Sequence, residues 1–139
     1  MRNEDRNILV RHRMEKAFVF IKDAGNLFQD NSFYSCVNRI YYSVFSAVSA
    51  LLLARGLYSS KHSGVMSLFH EKFVKTGIVN AKMGKFYSAI FVKRQRGDYK
   101  DLTEFKKEEV RGWLKEAEIF VKEIGKIIKD IENEDDSGI

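Results

Sequence analysis

Apolar residues recur every three or four positions along most of this chain, which is the period of helices that are buried on one face. The pattern is clearest in one stripe formed by Phe33/Tyr34, Val37, Ile40/Tyr41, Val44/Phe45, Val48 and Leu51/Leu52. We predict that this segment is the central helix of the fold. Its predicted start is a cap at Asn31 or Ser32, and its predicted end is Arg55–Gly56.

Four other segments show the same period, and polar or glycine residues mark their ends. The predicted helices cover residues 4 to 29, a short stretch capped by Ser60 or Ser63 and stopped by Thr76–Gly77, residues 80 to 99, and a segment that follows residue 104 and ends at Ile131. The chain contains no proline and only nine glycines, which suits long helices. The sequence therefore predicts an all-α fold, an up-and-down four-helix bundle core with a short extra helix, five helices in total.

Residues 1–131 are predicted to form a single helical domain, because a chain of 139 residues with 45% hydrophobic content can bury one core. Residues 132–139 include four acidic side chains and offer no apolar face, so we expect them to form a disordered tail. Without these four acids, the chain has 24 basic and 15 acidic residues. Such a body attracts polyanions at long range, although charge alone gives no specificity.

The longest nearly apolar run, Val44 to Ala54, is shorter than the roughly 20 residues that a membrane helix requires. We therefore expect a core helix and no membrane association. The N-terminus is charged and leads into no short apolar block, so no secretory signal is visible and we expect a cytoplasmic protein. The single cysteine, Cys36, excludes an intrachain disulfide and is interpreted as buried packing.

The fourth predicted helix carries charge where its apolar face should continue. Its stripe of Met83, Phe86/Tyr87 and Ile90/Phe91 is followed at the same spacing by Arg94 and then by Asp98. An arginine in this position needs a partner or an anion, because an unpaired buried charge is destabilising by roughly 3 to 5 kcal/mol. The sequence leaves two interpretations open: an internal pair of Arg94 with Asp98, or an anion-binding site.

Several familiar kinds of catalytic site are excluded by spacing. A di-iron bundle needs Glu-x-x-His pairs, and none of His12, His62 and His70 stands three residues after a glutamate. Neither of the glycine-rich phosphate-binding motifs occurs, and the Gly-x-Ser-x-Gly motif of serine hydrolases is absent too. We therefore predict no metal site and no cofactor.

The remaining candidates are polar side chains that could meet if the second and fourth helices pack together. They are Asn38, Arg39 and Tyr42 on the second helix, Lys61 and His62 before the third, and Arg94, Arg96, Asp98 and Tyr99 at the end of the fourth. Guanidinium groups bind phosphate bidentately and histidine moves protons near neutral pH, so this set would suit contact with a phosphodiester. A purely structural polar cluster that fixes the register of the helices is the alternative.

Four segments resemble the HEPN superfamily, and in particular its small, stand-alone prokaryotic branch. They are the segments at 38–45, 60–65, 73–77 and 94–99, which read NRIYYSVF, SKHSGV, FVKTG and RQRGDY. The resemblance covers roughly residues 10 to 130. It implies a five-helix fold with a four-helix core, a homodimer, and association with a minimal nucleotidyltransferase. Several branches of this superfamily are metal-independent ribonucleases or toxins of toxin–antitoxin pairs.

The sequence departs from the motif of those ribonucleases, which is an arginine, four to six further residues, and a histidine at the end of the fourth helix. With four to six residues between Arg94 and the histidine, the histidine would stand at position 99, 100 or 101. These positions hold Tyr99, Lys100 and Asp101, and no histidine follows His70. The resemblance therefore supports Arg94 or Arg96 as an RNA or nucleotide contact and Asn38 as the polar group of the second helix. It supplies no general base, so it leaves open whether the chain is an enzyme.

Three hypotheses follow. The leading one is a nucleotide- or RNA-binding HEPN module that dimerises and pairs with a nucleotidyltransferase, in the manner of a toxin–antitoxin system, with the groove lined by Arg39, Arg94, Arg96, Asp98 and Tyr99. The first alternative is a metal-independent endoribonuclease toxin with a displaced active site that uses His62 or Tyr99. The second alternative is a non-catalytic structural scaffold.

Overall fold

The computed structural model describes residues 2–99 and 104–137, with the side chains of 97–99 and 135–137 excepted. Its helices are α1 (Asn3–Gln29), α2 (Phe33–Ala54), α3 (His62–Phe69), α4 (Ala81–Tyr99) and α5 (Lys107–Ser137). A π-helical turn at His70–Val74 continues α3. Residues in the described ranges form no strand, so the predicted all-α fold with five helices is confirmed.

The central helix of the bundle is α2, as the sequence predicts. It packs against α1, α3, α4 and α5, and its residues from Ala50 to Ala54 are all buried. Ser43 and Ser46 are buried as well, and small groups of this kind let neighbouring helices come close to α2. Every other helix is therefore positioned by its contact with α2.

The same helix is long and apolar enough to cross a membrane by length and composition. The sequence-based comparison with a membrane helix used only the nearly apolar run from Val44 to Ala54, whereas the whole helix Phe33–Ala54 meets the criterion of length and composition. In the structure, 67% of the most apolar 18-residue stretch of this helix is buried among the other helices, as is typical of a core helix.

Two glycines end helical segments where the sequence predicts them to end. Gly56 has a φ of +72° and Gly77 a φ of +83°, a conformation that glycine adopts without a steric penalty. After α2, the N–H of Gly56 donates to the carbonyl of Leu53 and the N–H of Leu57 donates to that of Leu52, which is the Schellman motif.

Three details of the helix ends differ from the predictions. The N-cap of α3 is Lys61, instead of Ser60 or Ser63, because the extended backbone at Lys61 places His62 first in the helix. Ser32 occupies the N-cap position of α2, but its side chain makes no capping hydrogen bond. The predicted acidic tail is helical as far as Ser137, and Glu134 there lies 3.2 Å from the guanidinium of Arg55.

An aromatic cluster forms the part of the core between α3, α4 and α5. The ring centroid of Phe69 lies 5.5 Å from that of Tyr87 and 6.0 Å from that of Phe120. Phe120 also lies 6.2 Å from Phe86. These separations fall in the range in which aromatic pairs attract one another beyond their burial alone.

Replacing Tyr87 with phenylalanine is expected to raise the free energy of unfolding by about 1 kcal/mol. The Tyr87 hydroxyl is buried and has no hydrogen-bond partner among the described residues, and leaving such a group unsatisfied is destabilising by roughly 1–3 kcal/mol. Urea denaturation measures the change. The matched control is Tyr41→Phe, which removes a bonded hydroxyl and should lower stability. A loss of stability in Tyr87→Phe would show that its hydroxyl is hydrogen-bonded.

Candidate functional site

Helices α2 and α4 bring Arg94 against two neighbouring tyrosines. The Nη2 of Arg94 donates a hydrogen bond of 3.1 Å to the hydroxyl of Tyr42. Its guanidinium carbon lies 5.3 Å from the ring centroids of both Tyr41 and Tyr42, within the range of cation–π attraction. The expectation that polar groups of the second and fourth helices meet is therefore confirmed for Tyr42 and Arg94.

The first residue of α3, His62, reaches the same place. Its Nδ1 lies 2.9 Å from the hydroxyl of Tyr41, and its ring stacks on Phe45 with centroids 4.2 Å apart. The ring of Tyr42 meets that of His62 edge-on at 5.9 Å. We call these five residues, Tyr41, Tyr42, Phe45, His62 and Arg94, the Arg94 cluster.

Burial sets the protonation of the two groups that share a hydrogen bond. The pKa of Tyr41 is raised, mainly by its burial, so this phenol keeps its proton across the physiological range. The pKa of His62 is lowered below its usual value, first by burial and second by the charge of Arg94. At neutral pH the cluster therefore contains an uncharged imidazole beside a charged guanidinium.

The structure predicts that His62 titrates below the usual histidine pKa of about 6.5. Because the unfolded chain then binds more protons than the folded chain, stability should fall as the pH drops below about 6.5. Proton NMR follows the ring resonances of His62, which are identified as the signals that are missing from the spectrum of His62→Gln. In Arg94→Met the midpoint of the His62 titration should rise part of the way toward 6.5. It should not reach that value, because burial is the larger cause of the lowered pKa and is still present. A midpoint at or above 6.5 in the parent protein would contradict this account.

Four other predicted site residues, Asn38, Arg39, Lys61 and Arg96, are half-buried or exposed. Arg39 donates a hydrogen bond of 2.7 Å to the Oδ1 of its neighbour Asn38, and both side chains are half-buried. Lys61 is exposed at the start of α3, and Arg96 is exposed in the last turn of α4. Asn38 and Arg39 stand one turn before Tyr42 on α2.

Asp98 and Tyr99 belong to the last turn of α4, but their side chains lie outside the described residues. The predicted pair of Arg94 with Asp98, and the predicted site roles of both residues, therefore stay predictions.

Two members of the cluster, Tyr41 and Phe45, were not among the predicted site residues. Both occupy apolar positions of the central stripe, so periodicity assigns them to the core, and Tyr41 is indeed fully buried. The hydroxyl of Tyr41 was the available signal, because a buried phenol usually has a hydrogen-bond partner.

The described residues contain no group of three or more histidine, cysteine, aspartate or glutamate side chains that could hold a metal ion. Cys36 is buried, and its thiol donates to the carbonyl of Ala24 at a distance of 3.3 Å. Burial raises the pKa of this thiol to about 11, so it is protonated and unreactive at neutral pH. The interpretation of Cys36 as buried packing is consistent with this position.

Comparison with known proteins identifies the family. The model of the HEPN domain matches residues 10–128. A UPF0332 protein of Thermotoga maritima is 46% identical over 88% of this chain and 93% of its own length. Two proteins of Methanocaldococcus jannaschii, each named "Putative toxin", are 34% and 31% identical. The alignments cover 83% and 93% of this chain, and 78% and 96% of those proteins. This chain therefore belongs to the HEPN family.

Proposed function

We propose that this protein is a toxin-like HEPN module that binds RNA through the Arg94 cluster. The observation that carries the proposal is the position of Arg94, whose guanidinium is held by the Tyr42 hydroxyl and by two aromatic faces at the end of a core stripe. Such contacts fix the orientation of the guanidinium before any ligand arrives, which reduces the entropy lost on binding.

RNA is the ligand that suits this arrangement and the charge of the chain. A guanidinium binds phosphate oxygens with paired, charge-assisted hydrogen bonds. Arg94 is half-buried and therefore within reach of a ligand. The net charge of +5 supplies long-range attraction for a polyanion. Two relatives have the word toxin in their names, which supports the toxin-like part of the proposal.

The test is titration of a fluorescein-labelled single-stranded RNA with the parent protein and with Arg94→Met. Selective loss of RNA affinity in a folded variant would support the proposal. Equal affinity of the two proteins would overturn it.

A dimeric assembly and a nucleotidyltransferase partner belong to the same proposal. Family membership supports both, since the resemblance to HEPN proteins implies a homodimer and, separately, association with a minimal nucleotidyltransferase. Light scattering of the purified protein measures the first. Co-expression with the nucleotidyltransferase encoded nearest to the gene, followed by co-purification, measures the second. A monomer that retains full RNA affinity would remove dimerisation from the proposal.

Cleavage of RNA is a second candidate function, and the position of His62 favours it. The family motif lacks its histidine after Arg94, yet His62 enters the cluster from α3 and is neutral at neutral pH. A neutral imidazole can take the proton of a ribose 2′-hydroxyl as its oxygen attacks phosphorus. The bond from phosphorus to the 5′-oxygen then breaks, a proton from water reaches that oxygen, and Arg94 stabilises the charge on the phosphate.

The ribonuclease assay compares the parent protein with His62→Ala and Arg94→Met. If the displaced site is catalytic, both variants lose cleavage, and the products carry a cyclic phosphate and a 5′-hydroxyl. Cleavage should also decline below the pKa of His62, where the base becomes protonated. If the parent protein binds RNA but leaves it intact between about pH 5 and 9, the ribonuclease hypothesis is wrong and the RNA-binding function stays as the proposal.

A further inference from the structure

A groove between α1 and α5 shares no lining residue with the Arg94 cluster. Its volume is about 410 Å³, and its lining consists of Val10, Arg11, Met14, Phe18, Lys122, Gly125, Lys126, Ile128, Lys129 and Glu132. On α5 these residues span positions 122 to 132, which correspond to roughly 15 Å or three helical turns. The groove is therefore long enough for a short segment of another protein.

The floor of the groove is apolar and its rim is basic. Val10, Met14 and Ile128 form a buried floor, and Phe18, which is 47% exposed, lines one side. The rim carries four cationic side chains from both helices, Arg11, Lys122, Lys126 and Lys129, and one carboxylate, Glu132. Outside the lining, Glu123 lies 4.0 Å from the Nζ of Lys126, which leaves the rim with an excess of positive charge. A complementary ligand must therefore be apolar along one stripe and acidic on its flanks.

Gly125 keeps the middle of the floor open. A Cβ added there would lie 3.5 Å from the Cε of Met14, which is ordinary van der Waals contact, so packing does not require a glycine at this position. A glycine within a helix is less favourable than alanine by about 1 kcal/mol. Its effect on the surface is to let a partner's backbone come close to α5.

We propose that this groove binds an acidic amphipathic helix of a partner protein. The partner's apolar residues, at positions i, i+4 and i+7, occupy the floor above Gly125, and its aspartates and glutamates face the lysines of α5 and Arg11. RNA fits this surface less well, because a phosphate backbone has no apolar stripe to bury against Met14 and Phe18. This inference does not depend on the function of the Arg94 cluster.

The test uses two synthetic helical peptides of about 18 residues, a length near which short helices become stable. Both carry leucine at i, i+4, i+7 and i+11, and their other exposed positions hold glutamate in one peptide and lysine in the other. Fluorescence anisotropy with the full chain should show the glutamate peptide binding at least about ten-fold more tightly, a difference of 1.4 kcal/mol. The Gly125→Leu variant should lose at least about ten-fold of this affinity, because its side chain fills the floor.

Gly112→Leu is the matched control, because Gly112 is exposed on the same helix and a Cβ there meets no atom within 4 Å. This variant gains the same helix propensity and should bind the glutamate peptide like the parent. Equal binding of the two peptides, or full binding by Gly125→Leu, would overturn the proposal. Loss of RNA affinity in Gly125→Leu would assign the groove to RNA instead. Dissociation of a dimer in this variant would assign it to a second copy of the chain.

Discussion

Replacing Arg94 with methionine is expected to lower the affinity for single-stranded RNA by about ten- to a hundred-fold. The estimate follows from the roughly 1.5–3 kcal/mol that a hydrogen bond to a charged group contributes, since each 1.4 kcal/mol is a factor of ten. Methionine keeps much of the apolar stem of the arginine and removes the guanidinium that lies over the rings of Tyr41 and Tyr42, so the fold should persist. Anisotropy titrations at several salt concentrations measure the loss.

Lys85→Met is the control for this prediction, because it removes one positive charge from the same helix away from the Arg94 cluster. It should weaken RNA binding only about two-fold through the general field. The salt dependence distinguishes the two variants further. If Arg94 contacts a phosphate, its loss should reduce the slope of log affinity against log salt by about one. An equal, small loss in both variants would mean that only overall charge matters.

Replacing Phe120 with alanine is expected to lower the free energy of unfolding by about 3–5 kcal/mol. This ring is 1% exposed and contacts Phe69, Phe86 and Tyr87 at centroid distances of 6.0 to 6.4 Å. Its removal loses apolar burial and leaves a cavity that helices fixed by their contacts with α2 cannot close. Because small domains are stable by only about 5–15 kcal/mol, much of the total would be lost.

Ile119→Ala tests whether burial is the cause, because Ile119 is the adjacent residue of α5 and is 59% exposed. Its replacement should change stability by no more than about 0.5 kcal/mol. Urea denaturation at fixed temperature measures both variants. Similar losses in Phe120→Ala and Ile119→Ala would contradict the placement of the aromatic cluster in the core.

Much of the fold can be predicted from the sequence because helical periodicity is a local signal. The stripe from Phe33 to Leu52 predicted the central helix, and its burial on several sides reflects contacts with α1, α4 and α5. The ends at Gly56 and Gly77 could be predicted because glycine at positive φ is a property of one residue. Ends that depend on weaker preferences were predicted less well, as at the N-cap of α3 and the C-terminal end of α5.

The candidate site could be predicted only in part, since it is assembled from three helices. Arg94 stood out because it interrupts an apolar stripe, and Tyr42 because it lies off the apolar stripe of α2. The contact between His62 and Tyr41 depends on where α3 packs against α2, and no local pattern encodes that position. Tyr41 illustrates the difficulty, because one side chain serves both the core and the Arg94 cluster.

The most direct test of the account follows the His62 ring by NMR while single-stranded RNA is added to the protein. If RNA binds at the Arg94 cluster, the His62 ring resonances should shift and saturate with the affinity measured by anisotropy. The same titration of Arg94→Met should leave them unchanged at matched concentrations. If RNA binds the parent protein with full affinity but the His62 resonances do not shift, RNA binds elsewhere on the protein. That result would contradict the claim that the Arg94 cluster is the RNA-binding site.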